Sequence, residues 1–142
     1  MRAVNKRARV DYQIFEQIEA GMVLRGGEAK AVRTGHIDIS RSYAKIIGGE
    51  VYLINAVIPI SGAQNYDSSR TRKILLHKSE IIELTTKMKQ KKLTIVPISV
   101  YTKGSLVKVK LGLARSKRKF EKKQTLKQRD IERELEREIK ER

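Results

Sequence analysis

The stretch from Lys108 to Lys123, KVKLGLARSKRKFEKK, sets the tightest limit on how this chain can fold. On its N-terminal side Val107, Val109 and Leu111 alternate with Lys108 and Lys110. That is the pattern of a strand with one apolar face and two ammonium groups on the other. Past Arg115 the alternation gives way to charge, with six basic residues against Glu121 alone between positions 115 and 123. A chain built this way folds up to the junction and then hands a charged arm to something else. The division predicted is a body over residues 1–114 and a basic tail over 115–142.

The tail carries 12 basic and 7 acidic residues, and its apolar groups Ile131, Leu135 and Ile139 recur every fourth position. Pairs such as Asp130 with Arg133 and Glu136 with Lys140 favour helix by roughly 0.2–0.5 kcal/mol each. One thin apolar stripe buries little, and isolated helices of this length are marginal in water. The tail is predicted to be helical only in part until a partner supports it, and helical when bound.

The body reads as mainly β with inserted helices. Residues 1–10, with Arg2, Lys6, Arg7 and Arg9, read as a basic arm laid on a surface or on RNA. From Tyr12 to Leu24 the spacing predicts a long extended segment with a bend or bulge at Gly21. Glu28 to Thr34 is predicted as a short helix stopped by Gly35. Two β-branched runs, Ser42 to Ile47 and Glu50 to Ile54, flank Gly48-Gly49 as a hairpin. Ala56 to Ile60 extends the sheet toward an edge at Pro59, and Ser61 to Ser69 is a loop.

Ile81, Leu84 and Met88 then recur at helical spacing between His77 and Lys92. Leu93 to Tyr101 and Leu106 to Leu113 form a second hairpin around Lys103-Gly104-Ser105. Five or six short strands in meanders predict a small, strongly curved antiparallel sheet, and closure into an OB-like antiparallel β-barrel would remove its edges; a split α+β sandwich fits the same periodicity.

The charge balance selects the partner. Lys and Arg number 32 against 16 Asp and Glu, a formal charge of +16, and such a protein attracts polyanions and gains from counterion release on phosphates. The basic groups fall at junctions: the N-terminal arm, Arg70 to Lys73, the lysines after Met88, Lys108 with Lys110, and Arg115 to Lys123. Aromatics are sparse, so a folded RNA read by shape and backbone fits better than generic single-strand stacking.

No apolar run approaches the roughly 20 residues that span a membrane, and the N-terminal segment lacks a secretory h-region. A cytoplasmic protein is expected. Cysteine is absent and histidine numbers two, which leaves no thiolate metal site and little for zinc. No cofactor or metal is expected. His36 and His77 are the candidates for acid/base chemistry, and they read as surface or capping residues.

Five motifs occur in order: N-K-R-A-R at Asn5 to Arg9, I-E-A-G at Ile18 to Gly21, G-G-E-A-K at Gly26 to Lys30, R-T-R-K-I-L-L-H at Arg70 to His77, and K-V-K-L-G-L-A-R at Lys108 to Arg115. Together they closely resemble the SsrA-binding (small protein B) family. The resemblance implies an OB-type barrel that binds the tRNA-like part of transfer-messenger RNA. It also implies delivery to stalled ribosomes with elongation factor Tu, and a binding monomer without catalysis. By position, Asn5, Glu19 and Leu75 match family residues needed for the RNA complex. Asn5 and Glu19 can hydrogen-bond riboses or base edges, whereas Leu75 reads better as a core residue whose loss distorts the site.

The RNA-contacting set is then Asn5, Lys6, Arg7, Glu19, Lys30, Arg70, Arg72, Lys73, Leu75, Lys108 and Lys110. The resemblance places the tail in the decoding centre and the empty messenger channel, through Arg115, Lys117, Arg118, Lys119, Phe120, Glu121, Lys122, Lys123 and Ile131. Ser116 stands where the family has glycine, and Ile131 where it commonly has tryptophan.

Overall fold

A computed structural model describes residues 1–62 and 64–141, and the side chains of 119, 120 and 139–141 lie outside that description. The element order is β1 (Arg2–Val4), α1 (Lys6–Asp11), β2 (Tyr12–Met22), α2 (Gly26–Arg33), β3 (Tyr43–Ile47), β4 (Glu50–Ile54), β5 (Arg72–Leu75), α3 (Lys78–Lys91), β6 (Thr94–Lys103), β7 (Leu106–Ser116) and α4 (Lys119–Glu141). All seven strands join one antiparallel sheet in the order β1-β6-β7-β2-β5-β4-β3.

The two hairpins fall where their turns predict. Gly48 and Gly49 both sit at positive φ (59° and 77°), as a two-residue turn of the mirror-image type requires. Gly104 (φ 62°) serves the β6–β7 turn, and Lys103 faces Leu106 across it. Gly35 (φ 85°) ends α2.

The core lies between the inner face of the sheet and the two middle helices. Val51, Leu53, Ile74, Val109 and Leu111 meet Val32 of α2 and Ile81 and Leu84 of α3. Each such side chain removed from water contributes about 1.5–3 kcal/mol.

Four expectations change. The sheet curls until β3 lies near β6, but no ladder joins them and β1 and β3 remain the ends of an open sheet. The basic N-terminal arm is not a loose arm. Residues 2–4 pair with β6 in the register Arg2 to Tyr101 and Val4 to Ser99, and residues 6–11 form a helix. Ala56 to Ile60 adds an isolated bridge, Asp38 to Val57, rather than a strand. The tail is helical from Lys119 to Glu141 within the chain alone, with Leu126, Ile131 and Leu135 exposed.

Two irregularities shape the body. The β2–β7 register slips between Ile14 and Glu16, leaving Phe15 as an extra residue. Gly21, where the bend was expected, instead pairs with both Leu75 and Lys108. The β6–β7 register slips between Pro97 and Ser99, which accommodates a proline within a strand. Asn5 seals this second bulge: its backbone N–H donates to the Ile98 carbonyl at 2.7 Å and its Nδ2 to the Pro97 carbonyl at 2.9 Å.

A candidate RNA-binding face

The outer face of the sheet is built by register. Arg2 of β1 faces Tyr101 of β6, Tyr101 faces Lys108 of β7, Lys108 faces Gly21 of β2, and Gly21 faces Leu75 of β5. The neighbouring row runs Val4, Ser99, Lys110 and Glu19. Because side chains alternate across a strand, Lys108 and Lys110 stand on this face while Val107, Val109 and Leu111 are buried beneath it. Gly21 has no side chain, so the surface dips between Leu75 and Lys108. A Cβ there would touch the Leu75 side chain at 3.6 Å.

Glu19 is the anion in this cationic field. The Tyr101 hydroxyl donates to its carboxylate, and the Lys103 ammonium lies 3.7 Å from Oε1. The Tyr101 hydrogen bond, helped by Lys103, Lys108 and Lys110 nearby, holds the carboxyl below its ordinary range against the opposing effect of burial. The same hydrogen bond pushes the Tyr101 hydroxyl up to about 12. Near neutral pH the pair is a carboxylate oriented by a neutral phenol. Such a carboxylate can accept hydrogen bonds from a ribose 2′-OH or a base amino group.

Of the residues read from the sequence, this face gathers Glu19, Leu75, Lys108 and Lys110, with Lys73 beside Leu75 on β5. Lys73 is exposed and 3.6 Å from Glu50. Lys6 and Arg7 are exposed on α1 and Lys30 on α2. The structure moves the others. Leu75 is not a core residue: it is 53% exposed, while its neighbour Ile74 fills the core.

Arg72 is fully buried and is not available to a phosphate. Its guanidinium donates to Glu28 Oε2 through Nε at 3.0 Å and Nη2 at 2.7 Å, and to the Ala56 and Ser68 carbonyls at 2.5 and 3.0 Å. Arg70 also reaches Glu28. Asn5 is buried, and its Oδ1 accepts from the Ala8 N–H at 3.3 Å to cap α1. Its side chain is held by the body at both ends, and it positions α1 against the Pro97–Ile98 bulge.

In the tail, Arg115 bridges to Glu121 at 3.2 Å and Lys122 to Asp11 at 3.8 Å. The Lys117 ammonium donates to the Arg9 carbonyl at 3.0 Å and to Thr125 Oγ1 at 2.7 Å. Arg118, Lys123 and Ile131 are exposed. The side chains of Lys119 and Phe120 lie outside the described residues. Ser116 pairs with Tyr12 as the last residue of β7, so the chain turns after it, at Lys117 and Arg118. His36 Nδ1 sits 2.8 Å from Thr34 Oγ1, and His77 precedes α3 with its N–H donating to Glu80 at 3.0 Å.

Sequence reasoning missed Tyr101 and Lys103, and it read Arg2 as part of a basic arm without its place in the sheet. The hairpin turn carried the signal for Tyr101: with Lys103 opposite Leu106, Tyr101 must stand opposite Lys108. Arg2 has no local signal, because β1 finds its partner nearly the whole body away. Gly112 was also missed. A Cβ there would come within 2.7 Å of Ile98 Cδ1 and 3.1 Å of Ile14 Cγ2, so the outer face closes over a glycine at that point.

A curved, OB-like antiparallel sheet with lysines, an oriented carboxylate and a tyrosine on its outer face defines a nucleic-acid-binding protein. Among the described residues no group of His, Asp and Glu is placed to hold a metal, and no helix is long and apolar enough to cross a membrane. A family model described as SmpB protein matches residues 2–141. The SsrA-binding protein of Halothermothrix orenii is 44% identical, covering 99% of this chain and 92% of its own length. That of Thermosynechococcus vestitus is 45% identical, covering 97% and 93%. A chain in the solved structure "tmRNA-SmpB: a journey to the center of the bacterial ribosome" matches with a TM-score of 0.68 at 42% identity, covering 88% of this chain and 94% of that one. The chain belongs to the SmpB family of SsrA-binding proteins.

Proposed function

We propose that this chain binds the tRNA-like part of transfer-messenger RNA through its outer face and brings it to stalled ribosomes for trans-translation. The observation that carries the RNA contact is the continuous row Arg2, Tyr101, Lys108, Gly21, Leu75, with Glu19 oriented beside it. Lysines meet backbone phosphates, Glu19 reads hydroxyl or amino donors, and Leu75 with the dip at Gly21 offers an apolar ledge for a nucleotide. The kinship with proteins named for SsrA binding, and with a chain from a tmRNA–ribosome structure, supports the choice of RNA.

The protein acts as a cytoplasmic monomer in company with elongation factor Tu and performs no catalysis. Residues 1–114 hold the RNA, and the tail from 115 to 142 enters the decoding centre and the empty messenger channel through Arg115, Lys117, Arg118, Lys119, Phe120, Glu121, Lys122, Lys123 and Ile131. Sequencing the RNA that co-purifies with the protein tests the reading. Strong enrichment of transfer-messenger RNA is expected, and a profile matching total cellular RNA would overturn it.

The face itself has its own test. Leu75→Ala should change stability by no more than about 0.5 kcal/mol, as at other exposed positions, yet weaken RNA binding. Lys108→Ala and Lys110→Ala should each reduce the slope of log K against log salt by about 1. Thermal melts and salt-titrated binding read both, and a Leu75→Ala melt shifted as a core truncation shifts would return Leu75 to the interior.

A further inference from the structure

We propose that Phe15 is the stacking platform of a second RNA contact, at the end of the body from which the tail departs, taking one unpaired nucleotide with Lys91 and Arg115 on its phosphates. Phe15 is the extra residue of the β2 bulge and is 52% exposed. A strand alternation would have buried it or set it in a row. The bulge instead turns an aromatic ring outward, a device strands use to re-aim one side chain. The ring borders a hollow of about 170 Å³ whose lining includes Lys91, Leu93, Leu113 and Arg115. Apolar walls with cations at the rim suit a base and its phosphate.

The charges around the hollow favour an anion. Lys87 bridges Glu16 and Glu83 at 2.9 and 3.0 Å, a group of net charge −1, and Arg115 pairs with Glu121. Lys89, Lys91 and Lys92, at the end of α3, are exposed and belong to no ion pair among the described residues. Five cations, Lys87, Lys89, Lys91, Lys92 and Arg115, against three carboxylates, Glu16, Glu83 and Glu121, leave a local balance of +2, and Lys91 lines the hollow that the ring borders. An apolar protein partner would leave these ammonium groups facing it without compensation, at a cost. Arg115 is also the last residue before Ser116 and the turn into α4, so the hollow sits where the body meets whatever receives the tail. The inference adds a contact to the RNA-binding reading above but depends on none of the outer-face residues.

The test uses the full chain and two probes, a tRNA-like transcript and an oligoadenosine hexanucleotide. On titration with the hexanucleotide the ring protons of Phe15, one of two phenylalanines, should move upfield as a base stacks on them. Phe15→Leu, which keeps apolar bulk but loses the ring, should weaken hexanucleotide binding about tenfold, and Phe15→Tyr should restore it. Lys91→Glu should weaken it as well and reduce the Phe15 ring shift, whereas Lys108→Glu should impair the transcript and leave the Phe15 ring shift in place. Equal hexanucleotide binding by wild type and Phe15→Leu, or no ring shift at Phe15, overturns the proposal. Unchanged transcript binding by Lys108→Glu, with the ring shift intact, overturns the outer-face reading instead.

Discussion

Glu28→Ala should destabilise the protein by about 3–5 kcal/mol, the cost of stranding a buried charge, and lower the melting temperature by roughly 10 °C. Glu28 and Arg72 both have side chains with no exposure to solvent. The carboxylate accepts from the Arg25 N–H at 2.9 Å, from Arg70, and from Arg72 through two nitrogens. The Tyr66 hydroxyl lies 3.0 Å from it and 2.8 Å from the Ile58 carbonyl. This cluster ties the start of α2 to β5 and to the long connection between β4 and β5.

Without Glu28, the Arg72 guanidinium keeps its carbonyl partners but loses its counter-charge. Chemical denaturation of Glu28→Ala, Arg72→Met and the double variant would measure the coupling, and the double variant should recover part of the loss because both charges then leave the core together. A loss below 1 kcal/mol for Glu28→Ala would show that the pair is not what holds this region.

The same carboxylate sets an acid limit. Burial pushes the Glu28 carboxyl up, but the hydrogen bonds from Arg70, Arg25, Arg72 and Tyr66 prevail and hold it at about 2 against an ordinary 4.5. A depressed carboxyl contributes stability above its unfolded value and loses it as pH falls toward its folded value. Wild type should therefore lose on the order of 3 kcal/mol relative to Glu28→Gln between about pH 4.5 and pH 2. Denaturant midpoints measured across that window check it, and parallel curves would assign the acid sensitivity elsewhere.

The cluster also shows where sequence reading stops. Lys108 and Lys110 were legible because strand alternation is local, and the hairpins because Gly48-Gly49 and Gly104 admit few alternatives. Arg72 and Leu75 were read the wrong way round, the arginine outside and the leucine inside. Residue type gives only an average burial, and here parity along β5 decides. Ile74 points into the core, so Leu75 points out, while Arg72 shares the parity of Ile74 and is tolerated inside because Glu28, far off in sequence, meets it. Nothing near Arg72 announces that partner. Asn5 shows the same limit: its role is fixed by the bulge at Pro97 and Ile98, which only the folded register creates.

Removing residues 117–142 should leave folding and RNA binding nearly intact and abolish tagging of stalled nascent chains. The tail is fastened to the body by few contacts. The Lys117 N–H donates to the Asp11 carbonyl at 2.8 Å, Lys117 reaches the Arg9 carbonyl, Lys122 approaches Asp11 and Glu121 meets Arg115. Exposed ion pairs of this kind contribute about 0–1 kcal/mol each, far less than the buried sheet and helices, so a chain ending at Ser116 keeps β7 whole and should melt within a few degrees of wild type.

Its outer face, from Arg2 to Leu75, loses nothing. Ribosome engagement is another matter, because residues 117–142 hold Arg118, Lys123 and Ile131, which are exposed and make no core. Expression of the truncated chain in cells lacking the full-length protein, with a reporter message that has no stop codon, reads the outcome directly. Binding within about twofold of wild type and no tagged reporter are expected. Tagging at the wild-type level would show that the body alone engages the ribosome, and that the charge run beyond Arg115 serves some other end.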